Sequence, residues 1–528
     1  MGVPQHPLPC RHIICQDCIL DFGRPLGVNE GYLLKICGCP LEKKETRETI
    51  VRTHPREAGV RVLTLDGGGI RGITQLVILQ ELTRRLGGIP IYSFFDLVVG
   101  TSVGAIIGAG FAKKGWDAED VADRFRTMCK IAFQKSTAGA IVDRLTSWEM
   151  FGFLKKIYWV FPQFRTDKLE TSLAEAFGQT ERLYGNPDDR FSVHYPKLAI
   201  TTAKNAGGAY VIATYNRQNR HSSENVPYTF YQSGTGNGGW KTWQAYNHQS
   251  LGQRFIDGDM YYNNPIDVAY HESRLLWPDS PLDTIISLGT GYEPESKNSN
   301  ETRDPSISIP ATELFKIVVD QLNVTMDSEK TWKTFRDQHN QSPMSLIRLN
   351  MALCAPIPEL HEADRIDDLE DKARGYWTMD EKNVRRLDEI ANQLLARSFF
   401  LVLHRTEMVE SRYKCQGRIH CRFSTSSPKE ELSKLRNILA RALEQKLQRP
   451  CSGGHIFPCF IVKEQGIGVE KVLPISEQTL RDLPRGNFAL DFLVFLSERT
   501  SICEVLFCLS QGHEHPISGC PRVLSCVR

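Results

Sequence analysis

Arg61-Val62-Leu63-Thr64-Leu65-Asp66-Gly67-Gly68-Gly69-Ile70-Arg71-Gly72 decides how the rest of the chain is read. A short apolar strand runs into three consecutive glycines. Beyond the loop, Ile73, Leu76, Leu79, Leu82 and Leu86 recur at three- and four-residue spacing, and Gly87-Gly88 gives the stop signal. The spacing predicts one amphipathic helix. A second unit repeats the plan. Asp96-Leu97-Val98-Val99 is a strand, Gly100-Thr101-Ser102-Val103-Gly104 a turn, and a Gly/Ala-rich helix starts at Val103. Later strands are expected at Lys197 to Thr201, Tyr210 to Thr214 and Thr284 to Leu288. Apolar strands separated by helices predict an α/β fold whose mostly parallel sheet is covered on both faces.

At 528 residues the chain exceeds one compact core. Its 64 Lys+Arg against 62 Asp+Glu leave +2, which gives no electrostatic case for a nucleic-acid partner. Hydrophobic residues at 41% fit an ordered globular chain, and no apolar run reaches transmembrane length. Cysteines and a histidine occupy the place of a secretory h-region, so the expected location is cytoplasmic, with peripheral membrane contact.

Gly100-Thr101-Ser102-Val103-Gly104 is a G-x-S-x-G sequence between strand and helix. A sharp turn there projects the Ser102 hydroxyl at the sheet edge, with the helix N-terminus facing developing negative charge. The loop Gly67-Gly68-Gly69-Ile70-Arg71-Gly72 lies about 35 residues upstream. Gly67, Gly69 and Gly72 fit a dinucleotide fingerprint, but that motif needs an acidic residue about 20 positions on, after a second strand. Glu81 falls inside the first helix instead. Converging glycine amides suit an oxyanion hole, with Arg71 adding positive charge. A third motif is Asp257-Gly258-Asp259 with Asn263-Asn264-Pro265, which also reads as an Asx turn. Ser287-Leu288-Gly289-Thr290-Gly291 follows as a strand end.

In this order, these four motifs resemble the patatin-like phospholipase family over about residues 61–295, roughly 45% of the chain. The resemblance implies a three-layer α/β/α sandwich and a Ser–Asp dyad that hydrolyses acyl esters of phospholipids or other lipids at a membrane or micelle surface. Carried over, Ser102 is the nucleophile and Asp257 the base. The amides of Gly67, Gly68 and Gly69 form the oxyanion hole with Arg71, and Gly72, Gly100, Gly104 and Gly258 are the motif glycines. Such a dyad needs a carboxylate shielded from water, because desolvation makes it a stronger base. It needs no cofactor. The chain departs from the family in two places. Asp259 stands where Gly or Ala is usual, and Trp243-Gln244-Ala245 passes to Tyr246-Asn247-His248-Gln249 without the family's Ala/Arg/Thr/Ser-rich segment.

Four regions follow: a Cys-rich segment at 1–45, a charged linker at 46–60, the acyl-hydrolase domain at 61–395, and an α+β module at 396–528. Cys10, His12, Cys15, Cys18, Cys37 and Cys39 resemble part of a RING-type finger. In the cross-brace scheme Cys10, His12, Cys37 and Cys39 hold one structural zinc, and Cys15 and Cys18 half of a second. Phe151 to Phe161, rich in aromatics and with two lysines, reads as a helix over the core more readily than as an interfacial helix. Cys503, Cys508, His513, His515, Cys520 and Cys526 match no zinc spacing. Two other functions stay open. One is a Ser-Asp-His esterase drawing on His271, His339 or His361. The other is an inactive scaffold whose N- and C-terminal modules bind proteins.

Overall fold

A computed structural model describes residues 4–8, 10, 12–25, 33–42, 45–132, 166–184, 195–204, 208–216, 226–231, 241–245, 248–250, 253–257, 262–294, 327–353, 358, 362–423, 430–448, 457–483 and 488–524. Among the described residues nine strands build the central sheet: β1 (Val60–Leu65), β2 (Leu97–Thr101), β3 (Lys197–Lys204), β4 (Ala209–Ala213), β5 (Thr229–Tyr231), β6 (His248–Ser250), β7 (Gln253–Asp257), β8 (Leu282–Leu288) and β9 (Ser345–Leu349). Their order is β5-β4-β3-β2-β1-β8-β9, with β7 paired to β3 and β6. The run β3-β2-β1-β8-β9 is parallel throughout, and β4 runs antiparallel to β3.

Alternation along the strands explains the layers. Leu63, Leu65, Val98, Ile286 and Leu288 enter one apolar cluster, while Val60, Val62, Leu97, Val99 and Ile285 enter another on the opposite face. A sheet apolar on both faces must be covered twice. The first face carries α1 (Gly72–Arg85), α2 (Val103–Ala109), α3 (Ala118–Ala132) and α4 (Thr166–Phe177). The second carries α5 (Ile266–Leu276) and α6 (Ser328–Gln338). This is a three-layer α/β/α sandwich, as expected. The helical stretch near 367–395 is two helices, α7 (Ile366–Met379) and α8 (Glu381–Ala396). Asp380 divides them by accepting the Asn383 amide at 3.0 Å, an N-cap that starts a new helix.

The C-terminal region contains β10 (Phe399–Val409), β11 (Arg412–Cys421), α9 (Glu431–Gln448), β12 (Cys459–Glu464), β13 (Gly468–Pro474), β14 (Ala489–Leu496), β15 (Ile502–Cys508) and β16 (Glu514–Pro516). All its ladders among these strands are antiparallel. It is α+β, with a small apolar cluster of its own around Phe457, Cys459, Ile461, Leu506 and Cys508, but most of its core is shared. Phe399, Phe460 and Phe507 meet with ring centroids 5.0–5.4 Å apart, and they belong to the same apolar cluster as Leu63 and Leu79. A buried polar seam adds to that continuity. Arg422 bonds Asp96 and donates to the Gly59 carbonyl at 3.1 Å. Ser518 Oγ donates to Asp283 at 2.6 Å and accepts the Gly59 amide at 2.9 Å. Gly59, Asp96 and Asp283 lie where β1, β2 and β8 begin. The C-terminal region therefore closes the end of the sheet where β1, β2 and β8 begin, opposite the end at Leu65, Thr101 and Leu288.

The expected linker from 46 is corrected in part. Glu45–Arg52 is a strand paired to Leu33–Gly38, which also pairs with Arg24–Pro25. Its β-branched Thr49, Ile50 and Val51 supply the strand, and its charges suit a sheet edge. Val51 packs with Leu34 and Ile36.

Arg422 is 2% exposed, so truncating it removes an ionic partner of the part-buried Asp96 and leaves the Arg61 guanidinium, 3.6 Å away, as the partner that remains. Arg422→Ala is expected to lower unfolding free energy by about 3–5 kcal/mol. Denaturant titration checks this, and a loss below about 1 kcal/mol, the scale of a surface pair, would contradict the seam.

Candidate active site

Ser102 follows β2 at φ 52° and ψ −120°, a left-handed conformation that an L residue adopts only under constraint. Such strain costs on the order of 1–3 kcal/mol. Two contacts hold it. Gly104 lies against the backbone of Leu65, where a Cβ would meet the Leu65 carbonyl oxygen at 2.3 Å. On the other side Thr101 Oγ1 donates to the Tyr262 carbonyl at 2.5 Å and lies 2.6 Å from Thr201 Oγ1. The Ser102 carbonyl accepts the Ala105 amide at 3.0 Å, so α2 starts at once. Its first amides and positive dipole end therefore face the serine. The residue itself is half-buried.

The sheet register places Asp257 beside this turn. On β3, Thr201 pairs with Thr101 of β2, and the next residue, Thr202, pairs with Asp257 of β7. Both positions also pair with β4, at Val211 and Tyr210. Strands β2 and β7 must then share the opposite edge of β3. Asp257 occupies the ladder position that Ser102 would have taken had β2 continued. The chain reaches it through the β6–β7 hairpin, despite the shortened sequence upstream.

In the glycine loop, Gly68 has φ 153° and Gly69 φ 55°. At Gly68 a Cβ would lie 2.2 Å from Thr290 Oγ1, which donates to the Gly67 carbonyl at 2.8 Å. The Gly67 amide donates to the Asn263 carbonyl at 3.0 Å. It is committed to joining this loop to the Asn263-Asn264-Pro265 segment, which corrects its expected place among the oxyanion donors. Gly68 and Gly69 stand at the start of a 3₁₀ turn, Gly69–Arg71, where amides have no acceptor within the turn. Arg71 folds back, its Nε 3.5 Å from the Gly68 carbonyl. Asn264 Oδ1 accepts the Ile266 amide at 3.1 Å and steadies the start of α5.

Sequence reasoning missed the support beneath this loop. Asp66 is 1% exposed and meets the Arg348 guanidinium on β9 in a two-pronged pair, at 3.0 and 2.6 Å. Arg348 also donates to Ser287 Oγ at 2.7 Å and to Glu329 at 2.9 Å. Glu329 accepts Asn350 Nδ2 at 2.7 Å, and Asn350 Oδ1 accepts the Gly291 amide at 2.7 Å. One network thus joins the strand ends at Asp66, Ser287 and Gly291. Burial pushes the Asp66 carboxyl up to about 6, while the Arg348 charge restrains the rise. Removing Arg348 would raise it further. An acid held above its unfolded value adds stability at low pH and loses it as pH rises through its folded value. Arg348→Met should therefore cost about 3–5 kcal/mol near pH 8 and distinctly less at pH 5. Denaturant titrations at both pH values check this, and a penalty that shrinks as pH rises would contradict it.

The remaining expected residues scatter. Gly258, Asp259, His361, Cys526 and Phe151 to Phe161 lie outside the described residues. His339 packs between Tyr270 and Phe335, with ring centroids at 4.5 and 4.4 Å, and His271 packs on Tyr270. Gly72 and Gly100 approach their neighbours as closely as Gly104 does: a Cβ would meet Val103 Cγ2 at 2.5 Å and the Ala105 nitrogen at 2.4 Å. At the N-terminus, donor atoms of Cys10, His12 and Cys39 lie within 4.8 Å of one another. Cys37 is exposed and is not among them, contrary to the cross-brace scheme. Cys15 and Cys18 form a separate pair, sulfurs 3.4 Å apart. No helix among the described residues is long and apolar enough to cross a membrane.

Residues 63–270 match the family model described as patatin-like phospholipase. Calcium-independent phospholipase A2-gamma of Mus musculus is 24% identical over 408 residues, covering 71% of this chain and 47% of that protein. Phospholipase A I of Arabidopsis thaliana is 23% identical over 301 residues, 48% of this chain and 22% of that one. The crystal structure of VipD from Legionella pneumophila is 13% identical, covers 66% of this chain and 76% of its own, and superposes with a TM-score of 0.21, which adds no weight. The chain spans about half the length of the mouse relative. The glycine loop, the serine elbow and the Asp257 strand all lie inside the stretch, residues 63–270, that matches the patatin-like phospholipase model.

Proposed function

We propose that this chain is a lipid acyl hydrolase that cleaves acyl esters of phospholipids or lysophospholipids through Ser102 and Asp257, with no histidine taking part. The observation that carries the reading is the register that sets Asp257 at the ladder position next after Thr101, directly beside the strained Ser102. Asp257 takes the hydroxyl proton as Ser102 Oγ attacks the ester carbonyl. The amides of Gly68 and Gly69 receive the oxyanion, with the start of α2 behind it. Collapse of the tetrahedral intermediate expels the alcohol, which takes the proton from Asp257 and leaves an acyl group on Ser102. Asp257 then deprotonates a water that attacks this ester, and Ser102 recovers its proton as the fatty acid leaves. The substrate comes from a membrane or micelle surface.

Ser102→Ala and Asp257→Asn are each expected to lower kcat by at least about 1000-fold on phospholipid and lysophospholipid vesicles, with thermal stability preserved. His271→Ala and His339→Ala should change it only a few-fold. A loss in a histidine variant comparable to that in Ser102→Ala would favour a triad. Activity indifferent to Ser102 would end the reading.

At the N-terminus, Cys10, His12 and Cys39 are proposed to hold one structural zinc ion. Two thiolates and an imidazole suit zinc, and the Cys10 and Cys39 sulfurs each lie 3.6 Å from His12 Nδ1. Glu42 Oε1, 3.3 Å from the same nitrogen, offers a fourth ligand. Cys39→Ser should lose one zinc per chain by elemental analysis, and unchanged zinc content would contradict the assignment.

A further inference from the structure

The loop from β15 into β16 brings His513 and His515 against α8. Alternate residues of an extended chain face the same side. Between them Glu514 turns the other way, and Lys463 Nζ donates to its carboxylate at 2.7 Å. The two imidazoles therefore face Glu389, one residue beyond Asp388 on α8. Donor atoms of Glu389, His513 and His515 all lie within 4.8 Å of one another. His515 Nε2 is buried, lacks a hydrogen-bond partner among the described residues, and faces Glu389 Oε2 at 3.6 Å.

That separation is long for a hydrogen bond. Ligand atoms about 2.1 Å from a tetrahedral ion stand about 3.4 Å from each other. The spacing thus matches two ligands on one metal. Asn392, one turn beyond Glu389, puts its side-chain amide 3.5 Å from His513 Nδ1. Its Nδ2 faces that nitrogen here; a half-turn of the amide would place the oxygen there instead, to accept Nδ1–H and leave Nε2 as the free ring nitrogen, the usual support for a metal-bound imidazole. Burial lowers the His515 ring below its ordinary pKa, which favours the neutral form that ligates. The nearby Arg397 charge opposes a cation, but its guanidinium is engaged with the Asp283 carbonyl at 2.6 Å.

We propose that Glu389, His513 and His515 form a second site for a divalent transition-metal ion of the zinc class, open to a water or a fourth ligand on its solvent side. Two imidazoles and a carboxylate select such an ion over magnesium or calcium. The site spans two regions of the chain. Its carboxylate rides on α8, which packs against α1, and Asp388 accepts Arg85 Nε of α1 at 2.7 Å. Helix α1 opens directly from the glycine loop. A bound ion pins the C-terminal sheet to the helix layer that supports the site.

The test is metal binding by the full chain, measured by equilibrium dialysis with zinc and again with cobalt. Glu389 and His513 are exposed, so Glu389→Gln and His513→Ala should fold. Each is expected to bind one zinc fewer per chain than wild type and to lose most of the zinc-dependent rise in melting temperature. Their thiolate-to-cobalt absorption, which reports only cysteine-bound metal, should be unchanged. Zinc stoichiometry and zinc-dependent melting equal to wild type in both variants would overturn the proposal. So would a loss confined to the thiolate-to-cobalt signal.

Discussion

The constraint on which the rest depends is the backbone of Ser102, held at a positive φ where β2 turns into α2. A side chain there is tolerated only because close packing removes the alternatives. Gly104 lets α2 approach the Leu65 carbonyl, and Thr101 ties the turn to Tyr262 and Thr201. The turn sets Ser102 at the end of the sheet to which β7 delivers Asp257. Everything else in the sandwich keeps these two backbone positions in register.

That register is maintained from both ends of the sheet. At the end that carries Ser102, Arg348 gathers Asp66, Ser287 and Glu329, so the glycine loop cannot shift without disturbing a buried ion pair. At the other end, Arg422 and Ser518 fasten the C-terminal region to Asp96, Gly59 and Asp283. A two-pronged buried pair between charged groups is costly to form and costlier to break on one side. Its value here is positional. It fixes where the amides of Gly68 and Gly69 stand relative to the serine.

The parts of this arrangement that depend on local sequence were legible in advance. Strand, glycine loop and helix around Asp66, and strand, turn and helix around Ser102, follow from apolar spacing and glycine placement. What pairing decides was not legible. Arg348 lies on a strand whose neighbour is β8, and nothing near position 348 announces that its partner is residue 66. The commitment of the Gly67 amide to Asn263 is a contact across about 200 residues of sequence. The C-terminal strands read as a separate module because strand-like runs with a single amphipathic helix replace the strand–helix alternation, yet their phenylalanines join the same core. His513 and His515 matched no metal spacing because the third group, Glu389, comes from a helix far upstream.

The central claim is that position 102 carries the nucleophile, activated without an imidazole. A fluorophosphonate probe reacts with such a serine and leaves a covalent adduct that peptide mass spectrometry can locate. The account predicts a single adduct on Ser102, formed as readily when His271 and His339 are both replaced by alanine. An adduct on another residue, or no adduct on natively folded protein, would contradict it.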